Sequence, residues 1–196
     1  MQKIISVIFF SLLSFFIIPV NAQNWDINLL KNINPQNPKA GFWTATTASA
    51  YPVSGALPVG LLAVGFIEKN KELQQKGWQA AGALAINILL TEGLKYSINR
   101  ERPYEKYNFI YPYDGSEMGK SFPSGHVSMA FATATTLTLE CKKWYVIVPA
   151  YLWASGVGYS RLYLGEHYPT DVIAGAAVGA GSALLSNWLS KKIFKK

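Results

Sequence analysis

Five long apolar runs constrain what this chain can fold into. They follow one another at residues 54–67, 77–94, 127–139, 144–159 and 172–189. None of them alternates apolar and polar residues as a half-buried strand does, and each is long enough for several helical turns. The sequence therefore predicts an all-α fold, a helical bundle of about five to six helices. With 196 residues the chain can form one domain with a sizeable core.

The lysines between the runs are distributed unevenly. If the five runs cross a bilayer, one side receives the turns at 68–76 and 140–143 and the tail at 191–196, and these segments contain nine of the 18 basic residues. Lysine-rich connections belong in the cytoplasm, so the other connections would face outward. This placement accounts for much of the net charge of +7 without a nucleic-acid partner, and we expect no nucleic-acid binding.

The first 22 residues are typical of a secretory signal. A charged start at Lys3 precedes an apolar stretch at 4–18, and a proline and small residues follow up to Ala22. An uncleaved first membrane helix is the alternative. In either case residues 23–49 would emerge outside the cytoplasm as a polar, exposed lead-in with a short helix near residues 25–30. The chain has one cysteine, so no internal disulfide can form.

Two stretches that this topology places outward carry residues suited to phosphate chemistry. Residues 160–171 hold Arg161, His167 and Asp171 in one short run. Arginine binds phosphate oxygens with its planar fork, histidine can act as nucleophile or base, and a carboxylate can orient that histidine. His126 follows Pro-Ser-Gly at the start of an apolar run. A helix beginning there would offer free N–H groups to an anion.

A third stretch, residues 95–103, supplies the cations Lys95, Arg100 and Arg102. Arg100 could extend an anion site or be a solvated surface charge. No group of His, Cys and Asp residues has the spacing of zinc ligands. The positive charge at the site must then come from side chains, and we expect no metal or other cofactor.

Together these stretches resemble the signature of the type 2 phosphatidic acid phosphatase and vanadium haloperoxidase superfamily. The signature begins with lysine, six residues and Arg-Pro, which Lys95 and Arg102-Pro103 match. Pro-Ser-Gly-His follows at 123–126, and Ser-Arg, five residues, His, three residues and Asp follow at 160–171. The resemblance covers about residues 50–190, interpreted as a phosphatase helical domain that precedes a basic cytoplasmic tail.

The resemblance implies a role for each motif residue. His167 would attack phosphorus and form a phosphohistidine, Asp171 would orient His167, and His126 would protonate the leaving oxygen and then activate water. The phosphate oxygens would be held by three cations and two backbone N–H groups, those of Lys95, Arg102, Arg161, Ser124 and Gly125. The active site would lie at the periplasmic end of the bundle.

The resulting hypothesis is a bacterial inner-membrane phosphatase that acts on a lipid phosphate or pyrophosphate at the periplasmic face. Lipid A, undecaprenyl pyrophosphate, phosphatidic acid and phosphatidylglycerol phosphate are candidate substrates, because the motifs recognise the phosphate that all of them share. A soluble periplasmic acid phosphatase of broad specificity would keep the same residues and is the main alternative. The short chain argues against a haloperoxidase, and a non-enzymatic protein would leave all three motifs idle.

Overall fold

The computed structural model describes residues 21–39, 41–113 and 119–193. These residues form eight helices and no strand, which confirms the all-α prediction. The helices are α1 Asn21–Ile33, α2 Gly41–Ala48, α3 Ala50–Ile67, α4 Lys71–Ile98, α5 Pro103–Lys106, α6 Gly125–Cys141, α7 Trp144–Tyr163 and α8 Pro169–Ile193. Residues 1–20 of the predicted signal segment and 194–196 of the predicted tail lie outside the described residues.

The five apolar runs correspond to the five long helices α3, α4, α6, α7 and α8. Local signals set several of their ends. The Asn70 side chain caps α4 by accepting the N–H groups of Glu72 and Leu73 at 3.0 and 3.2 Å. The helix ends at Ile98, and its C-cap Asn99 adopts a left-handed conformation with φ 52°.

Small residues allow α8 to pack closely against α6. A Cβ atom on Gly179 would collide with the Ser128 backbone, and one on Gly175 would lie 2.7 Å from the Ser124 carbonyl oxygen. The spacing of glycines at 175, 179 and 181 predicts close helix contact, and the prediction is confirmed for the first two. It is wrong for Gly181, because no heavy atom lies within 4 Å of the position of its Cβ.

The interior of the bundle is polar for a helical core, whereas its outer faces are apolar. Asn87 and Thr91 of α4 both contact the Ser128 hydroxyl, at 3.2 and 3.1 Å. Large apolar side chains stay exposed on the outer faces of four long helices, and they include Val59, Leu89, Leu152 and Ile173. Among the described residues, Gly41–Ile67 and Pro169–Ile193 are long and apolar enough to cross a membrane.

The long helices alternate in direction, so one end of the bundle collects every motif. The end of α4, the start of α6, the end of α7 and the start of α8 meet there, together with α1. The expectation of an exposed lead-in is wrong for α1. Ile27 and Leu30 lie one turn apart on its buried face and pack against Ile110 and Tyr168.

Candidate active site

His167 and Asp171 lie one helical turn apart where the α7–α8 connection enters α8. The Nδ1 atom of His167 is 3.6 Å from Oδ2 of Asp171, and both side chains are almost fully buried. The hydroxyl of Ser121 donates to the same Asp171 oxygen and lies 3.4 Å from His167 Nδ1. The backbone N–H of Tyr168 also donates to this oxygen, at 3.0 Å. The carboxylate is therefore fixed in position beside the imidazole ring.

A buried carboxylate, Glu166, lies between two arginines of the predicted phosphate clamp. Arg102 Nη1 donates to Glu166 Oε2 at 2.6 Å, and Arg161 Nη2 lies 3.5 Å from the same oxygen. All three side chains are at most 2 % exposed. Thr47 of α2 accepts a hydrogen bond from Arg161 Nη1 at 2.9 Å. The two guanidinium groups are thus brought together at a site that excludes solvent.

Lys95, the third predicted clamp residue, lies at the rim of the same end of the bundle. Its ammonium group donates to the carbonyl oxygen of Lys120 at 2.7 Å. This bond ties the last turns of α4 to the segment that precedes α6. Arg102 is tied to the same segment, because its Nε donates to the Gly119 carbonyl oxygen at 3.1 Å.

The N-terminus of α6 lies against the start of α8. The backbone N–H of Ser124 donates to the Asp171 carbonyl oxygen at 3.1 Å, so in this structure it is not the phosphate donor that the resemblance implies. The Ser124 hydroxyl is buried and makes no hydrogen bond with any described residue, which makes it a candidate donor instead. Gly125 and His126 begin the helix, and Tyr51 packs edge-on to the His126 ring with centroids 4.6 Å apart.

Arg100 is paired with two carboxylates and is not a solvated surface charge. Its guanidinium donates to Asp171 Oδ1 at 2.6 Å and to Asp26 Oδ2 at 2.7 Å, and it stacks on the Tyr168 ring at 3.7 Å. Burial alone would lower the pKa of Arg100, but the charges of Asp171 and Asp26 and their hydrogen bonds hold this pKa above its ordinary value. Arg100 therefore stays protonated across any practical assay range.

Sequence reasoning missed three residues of this site. Glu166 occupies the variable spacer of the third motif, Asp26 lies in the lead-in, and Ser121 precedes the second motif. The only signal for Glu166 and Ser121 is that they lie close to motif residues in the sequence. Asp26 lies far from every motif, so no sequence signal identifies it. Among the described residues, no group of three or more His, Cys, Asp or Glu side chains is arranged to hold a metal ion.

Comparison with known proteins agrees with the motifs. The model of the PAP2 superfamily matches residues 76–195. An undecaprenyl-diphosphatase of Sulfolobus acidocaldarius is 38% identical over 104 residues, which are 53% of this chain and 50% of that protein. A lipid A 1-phosphatase of Porphyromonas gingivalis is 39% identical over 118 residues, 57% of this chain and 24% of that protein. The matched region thus spans half or less of the length of these two relatives.

Two solved structures share the architecture. The crystal structure of LpxE from Aquifex aeolicus has a TM-score of 0.67 and 28% identity, covering 84% of this chain and 95% of that one. A transmembrane PAP2-type phosphatidylglycerolphosphate phosphatase from Bacillus subtilis has a TM-score of 0.73 and 26% identity, covering 100% of this chain and 99% of that one. The two candidate spans and this transmembrane neighbour support a membrane protein. From the family match over residues 76–195 and the shared fold, we conclude that this chain is a member of the PAP2 superfamily.

Proposed function

We propose that this chain is a metal-independent phosphatase that removes phosphate from a phosphorylated or pyrophosphorylated lipid at the periplasmic face of a bacterial inner membrane. The observation that carries the proposal is the buried pair His167–Asp171 at the same bundle end as Arg102 and Arg161. A nucleophile oriented by a carboxylate, beside a clamp for phosphate oxygens, is what phosphoryl transfer requires.

In the first step, His167 attacks phosphorus. Because Nδ1 faces the carboxylate of Asp171, we infer that Nε2 is the attacking nitrogen. A phosphorus–nitrogen bond forms while the bond from phosphorus to the leaving oxygen breaks, and His126 gives its proton to that oxygen. The leaving oxygen belongs to the lipid alcohol in a phosphate ester and bridges the two phosphates in a pyrophosphate. Arg102 and Arg161 stabilise the charge that spreads over the three equatorial oxygens. Asp171 stabilises the imidazolium character that develops on His167.

In the second step, water replaces the histidine. His126, now neutral, takes a proton from a water molecule as that molecule attacks phosphorus. The phosphorus–nitrogen bond breaks, His167 regains its lone pair, and inorganic phosphate leaves the clamp. His126 lies at the start of α6, where the positive end of the helix dipole favours an anionic substrate.

The membrane setting favours a lipid substrate over a soluble one. The exposed apolar residues on the outer faces of the long helices would contact acyl chains, as Leu89 at 74% exposure illustrates. The end of the bundle opposite the motifs carries the lysine-rich turns, which supports a cytoplasmic position for that end and a periplasmic position for the site. Relatives are named for lipid A, undecaprenyl diphosphate and phosphatidylglycerophosphate, so these define the substrate panel.

The test is phosphate release by detergent-solubilised protein in EDTA. The panel comprises lipid A, undecaprenyl pyrophosphate, phosphatidic acid, phosphatidylglycerol phosphate and a small water-soluble phosphate ester, with His167→Ala as the matched blank. We expect strong preference for one lipid and no turnover by the blank. No release from any panel member, with or without EDTA, would overturn the proposal, and full activity of His167→Ala would overturn its mechanism.

A second test separates the membrane phosphatase from the soluble acid phosphatase. Carbonate at high pH releases peripheral and soluble proteins from membrane fractions but leaves integral proteins behind. We expect the protein to remain in the pellet and the water-soluble ester to be the poorest substrate. Release by carbonate, together with equal activity on the soluble ester, would favour the periplasmic acid phosphatase.

A further inference from the structure

The buried carboxylate of Asp26 extends the His167–Asp171 pair into the N-terminal helix. Asp26 is 2 % exposed and lies on α1, far from the motifs in sequence. Its Oδ2 accepts from Arg100 Nη2 at 2.7 Å and from the Thr170 hydroxyl at 2.6 Å. Its Oδ1 accepts the backbone N–H of Thr170 at 2.9 Å. Asp26 therefore holds both Arg100 and the first turn of α8, the turn that carries Asp171.

Arg100 is shared between two carboxylates. Its Nη1 donates to Asp171 Oδ1 at 2.6 Å and to the Thr170 hydroxyl at 2.7 Å, while Nη2 faces Asp26. One positive charge is thus divided between two negative charges, and the group carries one net negative charge next to His167. If a neutral residue replaced Asp26, the full positive charge of Arg100 would act on Asp171 alone and would offset its negative charge. The His167 imidazolium would then be less stabilised.

We propose that Asp26 is a positioning residue that sets the basicity of the His167 nucleophile by dividing the charge of Arg100 between itself and Asp171. The proposal rests on the phosphatase function proposed above. It makes α1 part of the catalytic apparatus, because this helix supplies the second carboxylate. Asp26 itself contacts neither the His167 ring nor the clamp in any hydrogen bond that the structure gives it.

The other polar and charged groups near His167 and Asp171 stay unchanged in the test. Ser121 and the Tyr168 N–H face Asp171 from the other side. A cavity of about 130 Å³ adjoins Arg100, and Glu101 and Lys106 are its other charged lining residues. The clamp residues and Glu166 form a separate set of ion pairs. Replacing Asp26 or Arg100 leaves all of these charges unchanged.

The experiment measures the titration of His167 directly. The chain has two histidines, His126 and His167, so NMR of protein labelled in the imidazole rings gives two sets of signals, which His126→Gln assigns. Asp26→Asn should lower the midpoint of His167 by roughly 0.5–1 pH unit, and Arg100→Gln should raise it by a similar amount. Asp26→Glu keeps the charge and should restore the wild-type midpoint. Glu101→Gln removes an exposed carboxylate nearby and should shift the His167 midpoint little.

Kinetics on the preferred lipid provide the second readout. Asp26→Asn should lower kcat about threefold to tenfold with KM within about twofold, and the acid limb of kcat/KM should move to lower pH. If Asp26 acted only in folding, its replacement would move neither the acid limb of the kcat/KM profile nor the titration midpoint of His167.

An unchanged His167 midpoint in folded Asp26→Asn would overturn the inference, as would a shift of the same size in Glu101→Gln. If Asp26→Asn does not fold, Arg100→Gln decides: an upward shift supports the inference and no shift overturns it. If the wild-type enzyme cleaves no lipid of the panel, the proposed function is refuted. The NMR titration would still test separately whether Asp26 changes the midpoint of His167.

Discussion

Replacing Glu166 with glutamine tests whether this carboxylate neutralises the proposed phosphate clamp when no substrate is bound. Glu166 Oε2 lies 2.6 Å from Arg102 Nη1 and 3.5 Å from Arg161 Nη2, in a fully buried setting. Removing one partner of a buried ion pair costs about 3–5 kcal/mol. Arg102 keeps hydrogen bonds to the carbonyl oxygens of Glu166 and Gly119. We therefore expect Glu166→Gln to lower the free energy of unfolding by about 3 kcal/mol, near the lower end of that range.

The assay is thermal unfolding in detergent, followed by tryptophan fluorescence, with and without inorganic phosphate. For a chain of this length a loss of 1 kcal/mol lowers Tm by about 2–4 °C, so Glu166→Gln should melt about 6–12 °C below wild type in phosphate-free buffer. Phosphate supplies the missing negative charge between the two arginines. It should therefore bind the variant more tightly and raise its Tm by more than it raises that of wild type.

Two outcomes would refute this reasoning. Equal melting temperatures without phosphate would mean that Glu166 does not compensate the arginines. A lowered Tm that phosphate raises no further than in wild type would mean that Glu166 supports packing and that Arg102 and Arg161 are not the anion site. Glu101→Gln is the matched control, because it removes an exposed carboxylate at the same end of the bundle.

Two further predictions concern the leaving group and the helix interface. His126→Ala should slow release of the leaving alcohol from lipid phosphates in the first step about 100-fold or more but spare the first step of an aryl phosphate ester, whose leaving oxygen needs no proton; equal losses on the two ester types, measured as single-turnover release of the leaving group, would contradict the general-acid role. Gly179→Ala should destabilise the protein by about 1–3 kcal/mol, because the new methyl group meets the Ser128 backbone. Gly181→Ala meets no atom and should be neutral or slightly stabilising; equal melting temperatures for the two variants would show that α6 and α8 do not pack as described.

The features that sequence predicts well here are local ones. Apolar periodicity and length predict the five long helices, because helix formation depends on neighbouring residues. The network around the motifs depends on pairs that are distant in sequence. Arg102 meets Glu166 across 64 positions, and Arg100 meets Asp26 across 74. No local pattern reveals which buried acid faces which arginine. The sequence therefore predicts an exposed lead-in where α1 is buried, and it leaves two alternatives for Arg100.

The charges of the described residues explain why buried acids surround the proposed anion site. Arg100, Arg102 and Arg161 are cations, and Asp26, Glu166 and Asp171 are their carboxylate partners. Buried arginines without counter-charges would be costly while the site awaits substrate. Each carboxylate also weakens the attraction for phosphate. The ion pairs of Glu166 and those of Arg100 should therefore have different roles. Glu166 sits within the proposed clamp and should limit how tightly product phosphate is held. Asp26 and Asp171 share Arg100 beside the proposed nucleophile and should set its basicity. The same acids that stabilise the empty site would then favour release of phosphate after each turnover.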